Sequence, residues 1–227
     1  MNCVFSFNTP WHEPYRFSTE TVRKYCRQYG IEYRLFTEPK VNWNHYYCER
    51  FHIVELLKEY DRVLYLDADI VATPTAENIF DVVPPEAFGA FNENRPYQAM
   101  DRDPMVEPLL RLCPQWPKID GCYRFFNAGV MLASKSHADA FEGFRSPPDE
   151  AALWSHWPEQ TYLNYLTVCA GLPFHDIGSK FNCMSMGLKS SREVRFQASF
   201  IHYAGSSEFY DGDKYEIMQE DIRMLWG

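Results

Sequence analysis

Arg62-Val63-Leu64-Tyr65-Leu66-Asp67-Ala68-Asp69-Ile70-Val71 is an apolar run that breaks into two carboxylates and then resumes. Four consecutive apolar residues after Arg62 read as a short buried strand, and Asp67 and Asp69 fall at its carboxyl end. In extended backbone, residues two apart point to the same side, so both carboxylates are expected to face one cavity. Such a pair attracts a hard divalent cation, whose open positions accept phosphate oxygens. A strand ending in solvated turn acids would show the same local pattern, so the flanking sequence has to decide.

Upstream, Cys3–Phe7 reads as a strand. Ser18–Tyr29 reads as a helix, with Ser18 or Thr19 as N-cap and Gly30 as its stop. Ile31–Phe36 is a second strand, and Tyr46–Tyr60 has helical spacing, with Arg50, Ile53 and Leu57 along one stripe. Strand, helix, strand, helix and strand in succession predict an α/β fold with a mainly parallel mixed sheet flanked by helices. Ligands in such sheets sit beyond the carboxyl ends of the strands, where Asp67 and Asp69 lie.

Downstream the texture changes. Seven prolines fall between Val83 and Lys118 among Asn, Arg, Tyr and Trp, with a short strand at Ala87–Phe91 and a short helix around Met105–Leu112. This span is too apolar and aromatic for a disordered linker and reads as an excursion over the sheet. Strands follow at Arg124–Leu132, Phe174–Ile177 and Ala198–Tyr203, and helices at Ser136–Phe144, Pro158–Ala170 and Asp213–Trp226.

The chain has 227 residues, which favours one domain over two. We expect that domain to comprise a half over residues 1–82 that ends in the aspartate pair and a site-completing half over 83–227. Thirty-one acidic against 22 basic residues give a net charge of -9, with no basic run to offset it. That balance argues against nucleic acid or an anionic membrane as partner. It also means that a phosphorylated ligand would need a cation recruited by acids. Fifteen Tyr, 17 Phe and six Trp suit a carbohydrate or nucleotide binder. Met1–Pro10 lacks the pattern of a secretory signal, and no apolar stretch is long enough to cross a membrane. Seven scattered cysteines without a C-x-x-C pair point to reduced, mostly buried thiols and a cytoplasmic location.

Five elements, in order along the chain, resemble glycosyltransferase family 8, whose members are metal-dependent retaining transferases of the GT-A fold. Arg50-Phe51 resembles the family's Tyr-Ala-Arg helix, and Tyr65-Leu66-Asp67-Ala68-Asp69 matches its metal motif. Phe126-Asn127-Ala128-Gly129-Val130 resembles its Phe-Asn-Ala/Ser-Gly-Val segment, and Glu159-Gln160 stands where Asp-Gln is usual. Ile201-His202-Tyr203-Ala204-Gly205 resembles its His-x-x-Gly. The resemblance implies that Asp67, Asp69 and His202 ligate Mn²⁺, with Mg²⁺ as the second choice. It implies a donor site formed by Asn8, Arg50, Asp67, Ala68, Asp69, Asn127, Ala128, Gly129 and Gly205. Asn127, Glu159 and Gln160 would lie at the reacting sugar, and Asn182 resembles a recurring Asn ahead of the last strand.

The activity so implied is transfer of a hexose from a nucleoside diphosphate sugar, with UDP-glucose or UDP-galactose expected, to a hydroxyl acceptor such as a glycan, with retention. Relatives are argued to react by front-face attack, so no covalent nucleophile is assigned. Two departures stand out: the family's diphosphate-binding Lys is Glu208, and its Pro-Trp is Phe209-Tyr210. Lys214 and Lys180 are the candidates to replace the lost charge, and Arg95, Tyr97 and Trp116 are the candidates to select the acceptor. Asp67-x-Asp69 after a strand also fits a haloacid-dehalogenase-type phosphatase, but that class has its motif near the domain start and needs a later acidic pair. A catalytically decayed nucleotide-sugar-binding module is the remaining alternative.

Overall fold

The structure is a computed structural model that describes residues 1–9, 13–40, 46–94, 101–142, 158–184 and 191–227. Its strands are β1 (Asn2–Phe7), β2 (Glu32–Phe36), β3 (Arg62–Leu66), β4 (Ile70–Ala72), β5 (Phe88–Asn92), β6 (Lys118–Ile119), β7 (Cys122–Tyr123), β8 (Phe126–Ser134), β9 (Phe174–Asp176), β10 (Cys183–Met184) and β11 (Phe200–His202). Six of them form the central sheet in the order β2-β1-β3-β8-β5-β9. The β1–β2, β1–β3 and β5–β9 pairs are parallel, whereas β8 runs antiparallel to both β3 and β5. The mixed, mainly parallel sheet read from the sequence is therefore the one observed.

Period-two alternation sorts the core onto the two faces of this sheet. Cys3, Phe5, Val63 and Tyr65 pack with Ile53 and Leu57 of the helix His52–Glu59 and with Tyr162 and Leu163 of the helix Pro158–Cys169. Val4, Leu64 and Leu66 face the other way, against Val22, Tyr25 and Cys26 of the helix Tyr15–Tyr29. Every residue of β3 and β8 is buried, which is why both read as continuous apolar runs rather than alternating ones. Burying one such Leu or Val side chain contributes roughly 1.5–3 kcal/mol.

Several boundaries differ from the sequence reading. The first helix starts at Tyr15, so Ser18 and Thr19 lie inside its first turn. The Ser18 hydroxyl donates to the carbonyls of Tyr15 and Ala68 instead of capping a helix. Gly30 does stop that helix, in left-handed backbone with φ 64°. The expected helix Tyr46–Tyr60 is a 3-10 segment, Tyr46–Phe51, followed by the α-helix His52–Glu59. Asp67 and Asp69 do not continue an extended strand. The chain turns at Asp67-Ala68-Asp69, with Ile70 N donating to Asp67 O at 3.1 Å, and resumes as β4 in a second sheet of order β10-β11-β4. The strand expected at Arg124–Leu132 starts two residues later, at Phe126, and extends to Ser134.

The second sheet is tied to the helix Lys214–Trp226, whose Met218 is buried with Val71, Ile201 and Tyr203. On that helix the fully buried Asp221 accepts from Arg192 Nε at 2.8 Å, Arg195 Nε at 2.6 Å and Tyr203 OH at 2.5 Å. This ion cluster seats the C-terminal helix. Among the described residues no helix is long and apolar enough to cross a membrane.

Candidate active site

The turn after β3 and the end of β11 meet at the carboxyl edge of the central sheet. His202 pairs with Ile70 across β11–β4 and with Met184 across β11–β10, which places its ring beside the turn. One ligand atom each from Asp67, Asp69 and His202 lie within 4.8 Å of one another. His202 Nε2 is 3.3 Å from Asp69 Oδ1 and 3.8 Å from Asp67 Oδ2. Adjacent corners of an octahedron with metal–ligand bonds of roughly 2.1–2.4 Å are about 3.0–3.4 Å apart. The three groups thus have the donor set of a divalent-cation site, with His202 and Asp69 already at the spacing of adjacent ligands and Asp67 farther out. An imidazole beside two carboxylates suits Mn²⁺ better than Mg²⁺. His202 Nδ1 is bonded to Asn182 Oδ1 at 2.9 Å, which leaves Nε2 as the nitrogen directed at the carboxylates.

Gly129 makes room for this cluster. A Cβ added there would lie 2.3 Å from His202 Cε1, 2.9 Å from Asp67 Oδ2 and 3.0 Å from Asn127 Oδ1. The close approach arises from an irregularity in the sheet. The β5–β8 register shifts between Ala90 and Phe91, so that Ala90 pairs with Met131 but Phe91 pairs with Asn127. Ala128 and Gly129 have no partner in β5, and side chains take over their amides. Ala128 N donates to Gln160 Oε1 at 3.0 Å, and Gly129 N donates to Asn127 Oδ1 at 2.9 Å. A bulge of this kind re-aims side chains at a sheet edge. Here it brings Asn127 and Gln160 to the carboxylate turn, and Asn164 locks the helix Pro158–Cys169 in place by accepting from Phe126 N at 2.8 Å.

Two cations flank the carboxylates. Arg50 is 4% exposed and its Nη2 lies 3.1 and 3.3 Å from the two oxygens of Asp67, while Nη1 is 3.6 Å from Glu159 Oε1. Desolvation opposes the charge on Arg50, but Asp67, Tyr65 and Glu159 outweigh it and raise its pKa. Tyr65 OH donates to Asp67 Oδ1. On the other side, Lys214 is 4% exposed, and its Nζ donates to Gly205 O at 2.8 Å and sits 3.4 Å from Asp69 Oδ2. The rings of Tyr15 and Tyr215 close over the ammonium at 5.6 and 5.4 Å. Burial pushes the Asp69 carboxyl up, yet the positive charges of Lys214 and of His202 in its protonated form more than offset it, so its net shift is down.

Of the residues read from the sequence, Arg50, Asp67, Ala68, Asp69, Asn127, Ala128, Gly129, Glu159, Gln160, Asn182, His202 and Gly205 come together at this edge. Gly205 has φ 79°, the left-handed backbone that turns its carbonyl to Lys214. Asn8 follows β1 at the same edge, its N bonded to Phe36 O at 2.9 Å and its buried Oδ1 without a protein partner among the described residues. Lys180 is exposed and paired with Glu77, whereas Lys214 is buried against Asp69. Glu208 is exposed and accepts from Ser206 Oγ. Trp116 is a core residue, 4% exposed with Nε1 donating to Arg124 O at 2.7 Å, so it does not contact an acceptor. Arg95 and Tyr97 lie outside the described residues.

The sequence reading passed over Glu93, Arg102 and Tyr65. Glu93 is buried, its Oε1 accepting from Gln160 Nε2 at 2.9 Å and ion-paired with Arg102 Nε at 2.8 Å, and its Oε2 accepting from Asn127 Nδ2 at 3.1 Å. A signal existed: Asn92-Glu93-Asn94 is a polar triplet at the carboxyl end of an apolar strand.

Two carboxylates and an imidazole at the carboxyl edge of a mixed α/β sheet, flanked by buried cations, form a candidate divalent-metal site on a fold of the GT-A glycosyltransferase class. The model of glycosyl transferase family 8 matches residues 10–209, and the chain belongs to that family of enzymes. Membership decides against the phosphatase reading of Asp67 and Asp69. Among solved structures, a glycosyltransferase involved in the glycosylation of the major capsid of PBCV-1 is similar over 96% of this chain and 98% of that one, at 16% identity and a TM-score of 0.62. Mouse xyloside xylosyltransferase 1 is similar over 92% and 99%, at 14% identity and a TM-score of 0.52. The glycosyltransferase GlyE of Streptococcus pneumoniae TIGR4 is similar over 99% of this chain and 61% of that one, at 15% identity and a TM-score of 0.52. At these identities the likeness is one of fold. No curated protein matches the sequence.

Proposed function

We propose that the protein transfers a hexose from a nucleoside diphosphate sugar, UDP-glucose or UDP-galactose, to a hydroxyl of a glycan with retention of configuration. The observation that carries this reading is the convergence of Asp67, Asp69 and His202 between two buried cations. A divalent ion held by these three residues supplies positive charge to the departing diphosphate.

The chain's own side chains do the rest. Arg50 holds Asp67 and Glu159 in place and adds a fixed charge at the same locus. Lys214 supplies, from the start of the last helix, the charge that Glu208 cannot. Its Nζ lies 3.4 Å from Asp69 Oδ2, so its charge falls at the same locus as the candidate metal ligands. Asn127 and Gln160 each commit one amide N–H to Glu93, leaving a second to donate to sugar hydroxyls. Asn8, with a buried carbonyl oxygen free to accept, faces the nucleotide. No residue is assigned as a covalent nucleophile.

The test is Asp69→Asn, which keeps the shape of the side chain and removes its charge. Metal-dependent hydrolysis of the donor should fall by at least 100-fold while thermal unfolding stays cooperative. Undiminished turnover in Mn²⁺ would overturn the reading.

A further inference from the structure

The strongest feature outside the ligand set is a buried chain of hydrogen bonds that begins at the ion pair of Arg102 and Glu93 and ends on His202. Its distances are 2.8 Å from Arg102 Nε to Glu93 Oε1, 3.1 Å from Asn127 Nδ2 to Glu93 Oε2, 3.0 Å from Asn182 Nδ2 to Asn127 Oδ1, and 2.9 Å between His202 Nδ1 and Asn182 Oδ1. Arg102, Glu93, Asn127, Asn182 and His202 are all less than a tenth exposed. Water therefore does not compete for these bonds, and each group has to be satisfied by its neighbour.

We infer that Glu93 is a positioning residue that sets the tautomer of His202 through Asn127 and Asn182, and so prepares Nε2 as a metal ligand. An ionised carboxylate only accepts. Asn127 must therefore turn Nδ2 to Glu93 and present Oδ1 on its other side. There it accepts from Gly129 N and from Asn182 Nδ2. Asn182, having spent its donor, presents Oδ1 to the imidazole. The proton must then reside on Nδ1, because a neutral imidazole has one N–H. In that neutral form Nε2 is left with a bare lone pair, 3.3 Å from Asp69 Oδ1 and aimed into the ligand cluster. The carboxylates alone would favour the opposite tautomer, with a proton on Nε2 shared with Asp69. The relay opposes that preference, and Arg102 is ion-paired with its far end.

The inference rests on the metal-site reading and has its own test. In Glu93→Gln, three donors converge on one oxygen and one N–H₂ group. The oxygen goes to Arg102, so an N–H₂ faces Asn127 Nδ2 and the polarity of the relay is no longer imposed. Two readouts apply to the metal-free and the titrated protein: ¹⁵N chemical shifts of His202 at pH 9, and Mn²⁺ affinity by electron paramagnetic resonance. Wild type should show the proton on Nδ1. Glu93→Gln should show Nε2–H signal and bind Mn²⁺ about tenfold more weakly, the usual size of an outer-shell effect. Glu93→Asp, which keeps an acceptor-only group, should remain within about threefold of wild type. A Glu93→Gln protein with Nδ1–H retained and unchanged Mn²⁺ affinity would overturn the inference. Wild type that binds no Mn²⁺ would instead overturn the metal site itself. If Glu93→Gln does not fold, Asn182→Ser cuts the relay one bond from the ring and takes the same two readouts.

Discussion

A single methyl group at Gly129 should dismantle the metal site. Its Cβ would fall 2.3 Å from His202 Cε1, against an ordinary carbon–carbon contact of about 3.5 Å. The shortfall of about 1.2 Å has two possible outlets. One is the backbone of β8, held where Asp67 N donates to Gly129 O at 2.9 Å. The other is the His202 ring, 3% exposed and tied to Asn182. Moving the ring by an ångström takes Nε2 out of ligand range of Asp69, and the added Cβ also lies 2.9 Å from Asp67 Oδ2. We expect Gly129→Ala to weaken Mn²⁺ binding by at least 100-fold. Overpacking should also cost about 2 kcal/mol, a Tm decrease of roughly 4–8 °C for a chain of this size. Isothermal titration with Mn²⁺ and a thermal melt measure both. A variant whose Mn²⁺ affinity is within threefold of wild type and whose Tm is unchanged would refute the packing argument.

Lys214→Met should weaken binding of a nucleoside diphosphate by about 10- to 100-fold, the range for a charge-assisted hydrogen bond, and leave binding of the nucleoside unchanged. A diphosphate Kd within twofold of wild type would remove Lys214 from the donor site. Stability should fall as pH rises above 9. Burial pushes the thiols of Cys3, Cys26 and Cys48 up to about 12, whereas in the unfolded chain they ionise near 9. Their contribution is thus complete below pH 9 and is lost as pH climbs towards 12, at about 1–2 kcal/mol per thiol by pH 10.5. Urea unfolding at pH 8 and pH 10.5 checks this, and equal midpoints would contradict it. The same thiols should resist alkylation at pH 8 until the protein unfolds.

The parts of the site that could be read from the sequence are those written into contiguous motifs. Asp67 and Asp69 end an apolar strand, Asn127 to Gly129 begin one, and His202 ends another, so chain-local patterns located them. The turn at Ala68 was not legible, because an extended run and a strand that changes sheets have the same apolar pattern. Glu93, Arg102 and Tyr65 were missed for different reasons. The roles of Glu93 and Arg102 come from pairings across the fold, and no local spacing encodes that Glu93 will meet Asn127 and Gln160, whereas Tyr65 sits in the metal motif itself and bonds Asp67 two residues on. Trp116 erred in the other direction: a Trp in a proline-rich span resembles a sugar platform until Arg124 O is seen to hold its indole. Ser18 had the composition of a cap, but Pro14 and Tyr15 already carry the helix and the hydroxyl supports the aspartate turn.

The reversed direction of β8 bears on how the enzyme can diversify. Because β8 is antiparallel to β5, the chain leaves the sheet after Asn92 and re-enters at Phe126, its direct partner across the ladder. Both ends of the intervening segment are thus anchored at one point of the rim, beside Asn127. Insertions in the exposed turns of that segment leave the register of every strand alone, since doubling a loop adds only about 0.6 kcal/mol of closure entropy, whereas Val106, Leu109, Trp116 and Phe125 tie the rest of it to the core. The metal ligands all lie outside it. Glu93 and Arg102 lie within it, so exchanges that keep this pair would leave both the metal ligands and the relay to His202 unchanged.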